Sequence, residues 1–379
     1  MAGSQKKIII SINTSWNIFN FRAGLIQALI DAGYKVVAVA PQDEYSERLE
    51  ALGCRFIPLP MDNKGTSPVN DIILFFRYLQ ILRHERPDAF LGYTIKPNVY
   101  GSLAANRLKI PVINNVSGLG TAFIRENFLT KIVQSLYRWA FRRSHMVFFQ
   151  NGDDRALFVQ EKLVKLQSTD VLPGSGINLE YLKPDGHSSP NAGEPYVFLL
   201  IARLVFDKGI REYVEAARIV RNKMPNVKFQ ILGFLDVENR TAVKRDEVDG
   251  WVKEGTIDYL GTTDDVRPFI AASHCVVLPS YREGTPRTLL EAAAMGKSLI
   301  TTDVPGCREV VDHEKNGFLC RVRDPEHLAE RMLNFIELTD DERTSMGKAS
   351  RKKVEKEFDE RIVINRYLET LESIFNKTG

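Results

Sequence analysis

The sequence predicts an α/β protein built from two doubly wound, Rossmann-like domains in tandem, and three observations predict it. Short β-rich runs alternate along the chain with segments whose apolar residues recur at helical spacing. The runs are apolar without strict alternation, as expected of strands covered on both faces and hence of parallel sheets. The rhythm breaks once, at the Pro/Gly/Ser-rich stretch "PDGHSSPNAGEP", residues 184–195, and then restarts. At 379 residues the chain is also too long for one ordinary core, so two domains are expected on length alone.

In the first domain, 1–186, the strand runs are "KKIIISI", "YKVVAVAP", "CRFIPLP", "DAFLGY", "PVINNVS" and "HMVFFQN", separated by helical patterns such as "FRAGLIQALIDAG". In the second, 195–359, they are "YVFLLIAR", "VKFQILG", "IDYLG", "HCVVLPS", "SLITTDV" and "GFLCRV". A closing helix over about 360–379, "RIVINRYLETLESIFNK", runs across the domains and is expected to pack back on the first. Ligands of such sheets bind beyond the carboxyl ends of the strands, in a cleft expected between the domains, so the residues that follow each run carry the functional reading.

Composition narrows the class. Lys and Arg number 51 against 48 Asp and Glu, a net charge of +3, which argues against a dedicated nucleic-acid binder while leaving room for local basic patches. The four cysteines, Cys54, Cys275, Cys307 and Cys320, have no CxxC or Cys/His spacing, so neither a zinc site nor a disulfide framework is suggested and a reducing cytoplasm fits. The apolar run near the N-terminus is too short for a signal peptide, and no segment holds the roughly 18 uninterrupted apolar residues of a membrane span.

Directly after "YVFLLIA" stand Arg203 and Lys208, followed by Gly209 and the helical pattern "IREYVEAARIVRNK". Two cations where a strand ends and a helix begins form an anion site, because the helix N-terminus adds backbone N–H donors. After "CVVLPS" comes the loop "YREGTPR" of "SYREGTPRTLLEAAAMG", residues 280–296. Here Thr285 reads as N-cap, Pro286 as the first helical position and Gly296 as the stop. Gly284 lets backbone approach a ligand closely. Glu283, in the loop, is placed to accept from sugar hydroxyls, and Glu291, about two turns into the helix, from another part of the ligand such as a ribose diol.

"REGTPRTLLEA" with its E-x7-E pair, "IARLVFDKG" and "TTDVPGCREVV" resemble the retaining glycosyltransferases of family 4, which have the GT-B fold. "NTSWNIFNFRAGLIQAL", "APQDEYSERLEALG", "YTIKPNVYGSLAA" and "INNVSGLGTAFI" of the first domain resemble its members in bacterial O-antigen, capsule and N-glycan assembly. The resemblance implies transfer from a UDP-sugar with retention at the anomeric carbon. In that reading Arg203 and Lys208 hold the diphosphate as charge develops on it. Glu283 meets the donor sugar or its phosphate and Glu291 the ribose. Gly284, Thr285, Pro286, Arg287 and Thr288 complete the donor cradle, with Ser15, Tyr259 and Gly261 assigned to the donor as well, the last two near the base. No cofactor is implied and no metal is expected, since the cations do that work and the chain has no D-x-D triplet.

On the acceptor side the resemblance and the strand-end rule point to Lys96, Asn98, Ser117 and Gly118, with Lys96 as a phosphate ligand. Ser117 stands where many family members have a histidine, so no general base is assigned. The leaving phosphate can accept the acceptor's proton on the same face of the sugar. His84, His145, His187, His274, His313 and His327 fall in no motif and read as structural. "NFLTKIVQSLYRWAFRRS", residues 127–144, puts Phe128, Leu129, Ile132, Val133, Leu136, Tyr137 and Ala140 on one apolar face, with Lys131, Arg138, Arg142, Arg143 and Trp139 around it. Such a helix lies on an anionic membrane or packs on a core with a basic outer face, and "DIILFFRYLQILRHER", 71–86, has the same two readings.

The expected function is therefore transfer of an N-acetylhexosamine-type sugar from a UDP-sugar to a polyprenyl-diphosphate-linked saccharide, by a peripheral enzyme at the cytoplasmic face of a membrane. The alternatives are a GT-B transferase or phosphorylase with a small soluble acceptor, and a two-domain sugar-binding protein. The last would need a secretion signal and leaves the Arg203, Lys208, Glu283 and Glu291 set unexplained.

Overall fold

The computed structural model describes residues 5–62, 67–118, 128–184, 194–235 and 241–376. The chain forms two compact units, 1–175 with 360–379, and 176–359. The first unit therefore ends earlier than the 186 expected from composition. Residues after 175 already belong to the second, where Ile177 bridges Asp359 and Arg351 donates to the carbonyls of Leu179 (3.3 Å) and Leu182 (2.6 Å). The Pro/Gly/Ser-rich stretch lies outside the described residues over 185–193, with His187 inside it.

The first unit is a parallel seven-stranded sheet. In chain order it runs β1 (Lys7–Ser11), α1 (Ser15–Asp31), β2 (Lys35–Ala40), α2 (Ser46–Ala51), β3 (Arg55–Pro58), α3 (Pro68–Glu85), β4 (Ala89–Tyr93), α4 (Ser102–Arg107), β5 (Val112–Val116), α5 (Phe128–Phe141), β6 (Met146–Phe149), α6 (Gly152–Gln160) and β7 (Thr169–Val171). Local chemistry sets several of these boundaries. Thr14 caps α1 by accepting from the Asn17 N–H, and Ser67 caps α3 ahead of Pro68. One turn of π-helix, Pro97–Gly101, leads into α4, its Gly101 tight against the Phe90 ring.

The second unit is a parallel six-stranded sheet. It runs β8 (Tyr196–Ile201), α7 (Ile210–Lys223), β9 (Val227–Leu232), α8 (Arg245–Lys253), β10 (Asp258–Tyr259), α9 (Arg267–Ala272), β11 (Cys275–Leu278), α10 (Arg287–Ala294), β12 (Ser298–Thr302), β13 (Gly317–Cys320), α11 (Pro325–Glu337) and α12 (Asp340–Glu357). The last helix, α13 (Glu360–Asn376), belongs to the first unit, with Tyr367 and Leu371 fully buried in its core.

Strand order locates the ligand sites. The first sheet runs β3-β2-β1-β4-β5-β6-β7 and the second β10-β9-β8-β11-β12-β13. The order reverses direction between β1 and β4 in one and between β8 and β11 in the other. At such switch points the loops diverge beyond the carboxyl ends and leave a crevice. In the first unit α1 and α13 pack with Ile8, Ile10 and Leu91 on one face of the sheet, while α3 and α4 pack on the other, with α5 beside α4.

Among the histidines, His274 is structural. Its Nδ1 accepts from the Val197 N–H (2.9 Å), and burial, then the charges of Lys297 and Arg343, push its pKa down to about 4. An unfolded histidine titrates near 6.5, so below that pH the unfolded chain binds the additional proton. Stability contributed by neutral His274 is therefore complete above about pH 6.5 and falls as the pH drops toward 4. Urea midpoints at pH 7.5 and 5.5 should differ less for His274→Gln than for the wild type, and identical slopes would contradict this assignment.

Candidate functional site

Both loops predicted to carry the chemistry emerge at the switch point of the second sheet. After β8 the chain passes Arg203, which is exposed and has no side-chain partner among the described residues, and reaches the short 3-10 turn Phe206–Lys208. Gly209 follows with φ of +70°, a left-handed conformation that costs glycine little, and it starts α7. A Cβ on Gly209 would overlap the Pro279 carbonyl, so glycine is what lets this loop touch the one after β11. The two are joined there by the Tyr281 N–H donating to the Asp207 carbonyl at 2.9 Å.

In the β11 loop, the Glu283 carboxylate accepts from Lys208 Nζ and, at 2.7 Å, from Ser280 Oγ. Thr302 Oγ1, at the end of β12, donates to the Ser280 carbonyl. The Glu283 N–H donates to the Pro305 carbonyl at 3.1 Å, in the "DVPGC" turn. That turn closes on Gly306, φ +87°, where any side chain would overlap the carbonyls of Glu283 and Gly284. Three strand-end loops thus hold one carboxylate and one ammonium in contact, at 12% and 21% side-chain exposure. Burial, reinforced by the nearby Glu283 charge, pushes the Cys307 thiol of this turn up to about 12, so it stays neutral.

The pairing refines the expected roles. Lys208 is not a lone cation awaiting a phosphate but is held by Glu283, while Arg203 is the exposed charge of the set. Glu291 is also paired, through Oε1 with Arg287 Nε at 2.9 Å. Two local expectations are corrected. The helix begins at Arg287 with Pro286 as N-cap, not Thr285, because Pro286 has an extended ψ of 110° and its carbonyl accepts the first helical bonds, from Leu289 and Leu290. Glu291 therefore lies one turn along α10 rather than two. Gly296, φ +73°, does follow the helix in the left-handed conformation expected of a stop. Gly284 is buried in the loop, and Thr288, expected at the donor, donates to the Ile201 carbonyl (3.1 Å), bracing α10 against β8.

Tyr259 is the last residue of β10, an outer strand, and its hydroxyl is engaged by the Gly233 carbonyl (2.9 Å). Gly261, φ +76°, accepts from the Gly233 N–H through its carbonyl.

The first unit departs further from expectation. Ser15 is fully buried at the start of α1, its hydroxyl donating to the Pro41 carbonyl (2.8 Å) and touching Ser46, so no donor contact is open to it. Asn98 is 1% exposed and both ends of its amide are satisfied, by the Asn115 carbonyl (2.8 Å) and Asn114 Nδ2 (2.9 Å), so it braces β5 instead of meeting an acceptor. Lys96 lies at the end of β4 as expected but is paired with Asp71 at 2.7 Å, and Tyr100 donates to the same carboxylate. Ser117 is exposed past β5, and Gly118 has φ +125°. The rest of "GLGTAFI" lies outside the described residues.

On α5, Tyr137, Ala140 and Phe141 are buried against β6 and α6 residues, with Val133 and Leu136 packed on them, so most of the apolar face faces the core. Ile132 (43% exposed) and Trp139 (71%) face outward, whereas the side chains of Phe128 and Leu129 lie outside the described residues. The sequence reading missed Arg22, a buried cation on α1 that the helical pattern "FRAGLIQALIDAG" presents as one charge among apolar residues.

Comparison with known proteins identifies the family and the fold. Residues 185–353 match the family described as glycosyl transferases group 1, and residues 21–174 the glycosyl transferase 4-like domain. The chain is 29% identical to the Campylobacter jejuni N,N'-diacetylbacillosaminyl-diphospho-undecaprenol alpha-1,3-N-acetylgalactosaminyltransferase, over 94% of this chain and 96% of that one. It is 25% identical to the Escherichia coli UDP-Gal:alpha-D-GlcNAc-diphosphoundecaprenol alpha-1,3-galactosyltransferase, over 77% and 76% of the two chains. Anabaena Alr3699/HepE, solved in complex with UDP-glucose, shares the fold with a TM-score of 0.78 at 19% identity, over 97% of this chain and 99% of that one. The two matched domains, in the order and extent of the two sheets, make this chain a glycosyltransferase of the GT-B fold, with a glycosyl transferase 4-like first domain and a group 1 second domain.

Proposed function

We propose that this glycosyltransferase moves a sugar, of N-acetylhexosamine type, from a UDP-sugar to a polyprenyl-diphosphate-linked saccharide with retention at the anomeric carbon. The observation that carries the donor half is the Lys208–Glu283 pair at the switch point of the second sheet, its Lys208 in the same β8 loop as the exposed Arg203. A diphosphate entering there meets Arg203 directly, and Lys208 can share its protons between Glu283 and a phosphate oxygen. As the anomeric C–O bond breaks, the two cations meet the charge that collects on the departing diphosphate, and no metal is assigned. The departing oxygen takes the proton of the acceptor hydroxyl, so no protein base is required. Relatives named for diphosphoundecaprenol-linked acceptors support the acceptor class.

The test is a panel of UDP-sugars offered with polyprenyl-diphosphate saccharides, with product configuration read by NMR. An axial, α-linked product from an α-linked UDP-sugar is expected, and an inverted product or a non-UDP donor requirement would reject the reading. Within that reaction, Glu291→Gln should mainly weaken UDP-sugar binding. Glu283→Gln should mainly lower turnover, because the sugar end changes charge during transfer. Equal effects on both parameters would remove the division between them.

The acceptor class implies work at a membrane surface, and the outer face of the first unit supports it. On α3, Val69 (65% exposed), Ile72 (57%), Ile73 (43%) and Phe76 (60%) recur at helical spacing on the side opposite the buried Leu74, Tyr78 and Leu82. Trp139 and the exposed Arg142 and Arg143 stand at the end of α5, on the same side of the sheet. This moves the weight of the reading from α5 to α3. Arg138 is occupied, donating to the carbonyls of Glu161 (3.2 Å) and Lys162 (3.3 Å). No described helix is long and apolar enough to cross a membrane.

Ile72→Glu with Phe76→Glu should release the protein from anionic liposomes at any ionic strength. Arg142→Glu with Arg143→Glu should weaken binding chiefly at low salt, by about 1 kcal/mol per charge. Both should leave UDP affinity unchanged. Wild-type protein that stays in the supernatant at low salt, with a soluble saccharide used as efficiently as the lipid-linked one, would replace this acceptor with a soluble one.

A further inference from the structure

Arg22 is 5% exposed, on α1 one strand-to-helix connection past β1. Its guanidinium lies 4.5 Å from the centre of the Tyr93 ring, and Tyr93 is the last residue of β4. The side chain thus spans the β1/β4 switch point, where this sheet's ligand crevice forms. Its bonding is incomplete. Nη1 donates to the carbonyl of the adjacent Phe21 (3.0 Å), Nε is buried without a partner, and no carboxylate pairs with the guanidinium among the described residues. A buried permanent cation without a counter-ion is expensive, and natural chains seldom carry one unless something neutralises it. Glu85, buried in the same unit, is paired with Lys7 and Arg55, and the half-buried Lys96 with Asp71.

What surrounds Arg22 suits an anion. Tyr93 and Tyr367 offer hydroxyls, kept protonated because burial raises the pKa of both above the usual tyrosine value, well above it for Tyr93. Asn115 Nδ2 donates to the Tyr367 hydroxyl (3.2 Å), and Ser117 Oγ donates to Asn115 Oδ1 (3.2 Å), so a polar chain runs from the exposed end of β5 to the Arg22 cluster. We propose that Arg22 is the anchor of an anion site in the first unit that takes the diphosphate of the lipid-linked acceptor, a role the sequence assigned to Lys96. This rests on the acceptor reading above. The guanidinium supplies a planar fork matched to phosphate oxygens, which an ammonium at the same position would not.

The test uses the full chain. Inorganic pyrophosphate is titrated calorimetrically into protein saturated with UDP, so that the second unit's diphosphate site is already filled. Wild type should bind pyrophosphate, Arg22→Lys about tenfold more weakly, and Arg22→Met not measurably, with UDP affinity unchanged in both. Farnesyl diphosphate should displace the pyrophosphate, and in turnover assays Arg22→Lys should raise KM for the lipid-linked acceptor while KM for the donor stays constant. Wild-type protein that takes up no pyrophosphate beside UDP overturns the proposal even if both variants misfold. So does equal binding by folded variants, which would make Arg22 a packing residue, and so does failure of farnesyl diphosphate to compete. Failure to bind UDP in the first place would instead count against the donor reading, leaving the pyrophosphate titration without UDP to report on Arg22.

Discussion

Lys208→Ala should lower turnover by about two to three orders of magnitude, the loss seen when one donor to a developing negative charge is removed. The structure gives a second reason for a large effect. Lys208 pairs with Glu283, whose same oxygen also accepts from the Ser280 hydroxyl. Without the ammonium, the Glu283 carboxylate faces the incoming diphosphate with that positive charge gone. Two unit charges 4 Å apart interact by about 4 kcal/mol at the effective dielectric of a protein surface. Donor binding should therefore weaken along with turnover, whereas the double variant Lys208→Ala with Glu283→Gln should recover part of the binding and little of the turnover. Arg203→Ala should cost turnover on the same scale without this rescue, since Arg203 has no carboxylate partner among the described residues. Near wild-type turnover in either single variant, with an intact circular dichroism spectrum, would show that the diphosphate lies elsewhere.

Gly209→Ala should damage both stability and activity. Alanine at φ +70° carries strain, and its Cβ would overlap the Pro279 carbonyl, so the loops after β8 and β11 must separate. The combined cost is about 2–5 kcal/mol. Separation breaks the Tyr281-to-Asp207 bond and draws Lys208 away from Glu283, so turnover should fall even in the fraction that remains folded. Gly255→Ala is the control. Its φ of +74° is similar, but a Cβ there meets nothing within 4 Å. It should therefore cost about 1 kcal/mol and leave turnover unchanged. If the two variants behaved alike, backbone strain alone would account for Gly209, and the contact between the loops would be irrelevant to catalysis.

The fold was legible because its signals are local. Both-face burial writes continuous apolar strands, the helices between them keep the 3.6 period, and the break after residue 183 stands out in composition. For the same reason the sequence by itself determined where to look, since Arg203, Lys208 and Glu283 directly follow apolar runs and strand ends are where such sheets bind ligands. What it could not determine was which charges face each other. Lys208 and Glu283 are 75 residues apart, and their contact depends on β8 and β11 being neighbours, a consequence of strand order that no local pattern encodes. The same limit explains the first unit. Lys96 and Asn98 looked available because they follow a strand, but Asp71 on α3 and Asn114 on β5 claim them. Arg22, one charge inside an amphipathic helix, drew no reading from the sequence. Only the packing of α1 and α13 on the sheet buries it beside Tyr93 with no carboxylate partner among the described residues, because burial and pairing are properties of the assembled chain rather than of any segment within it.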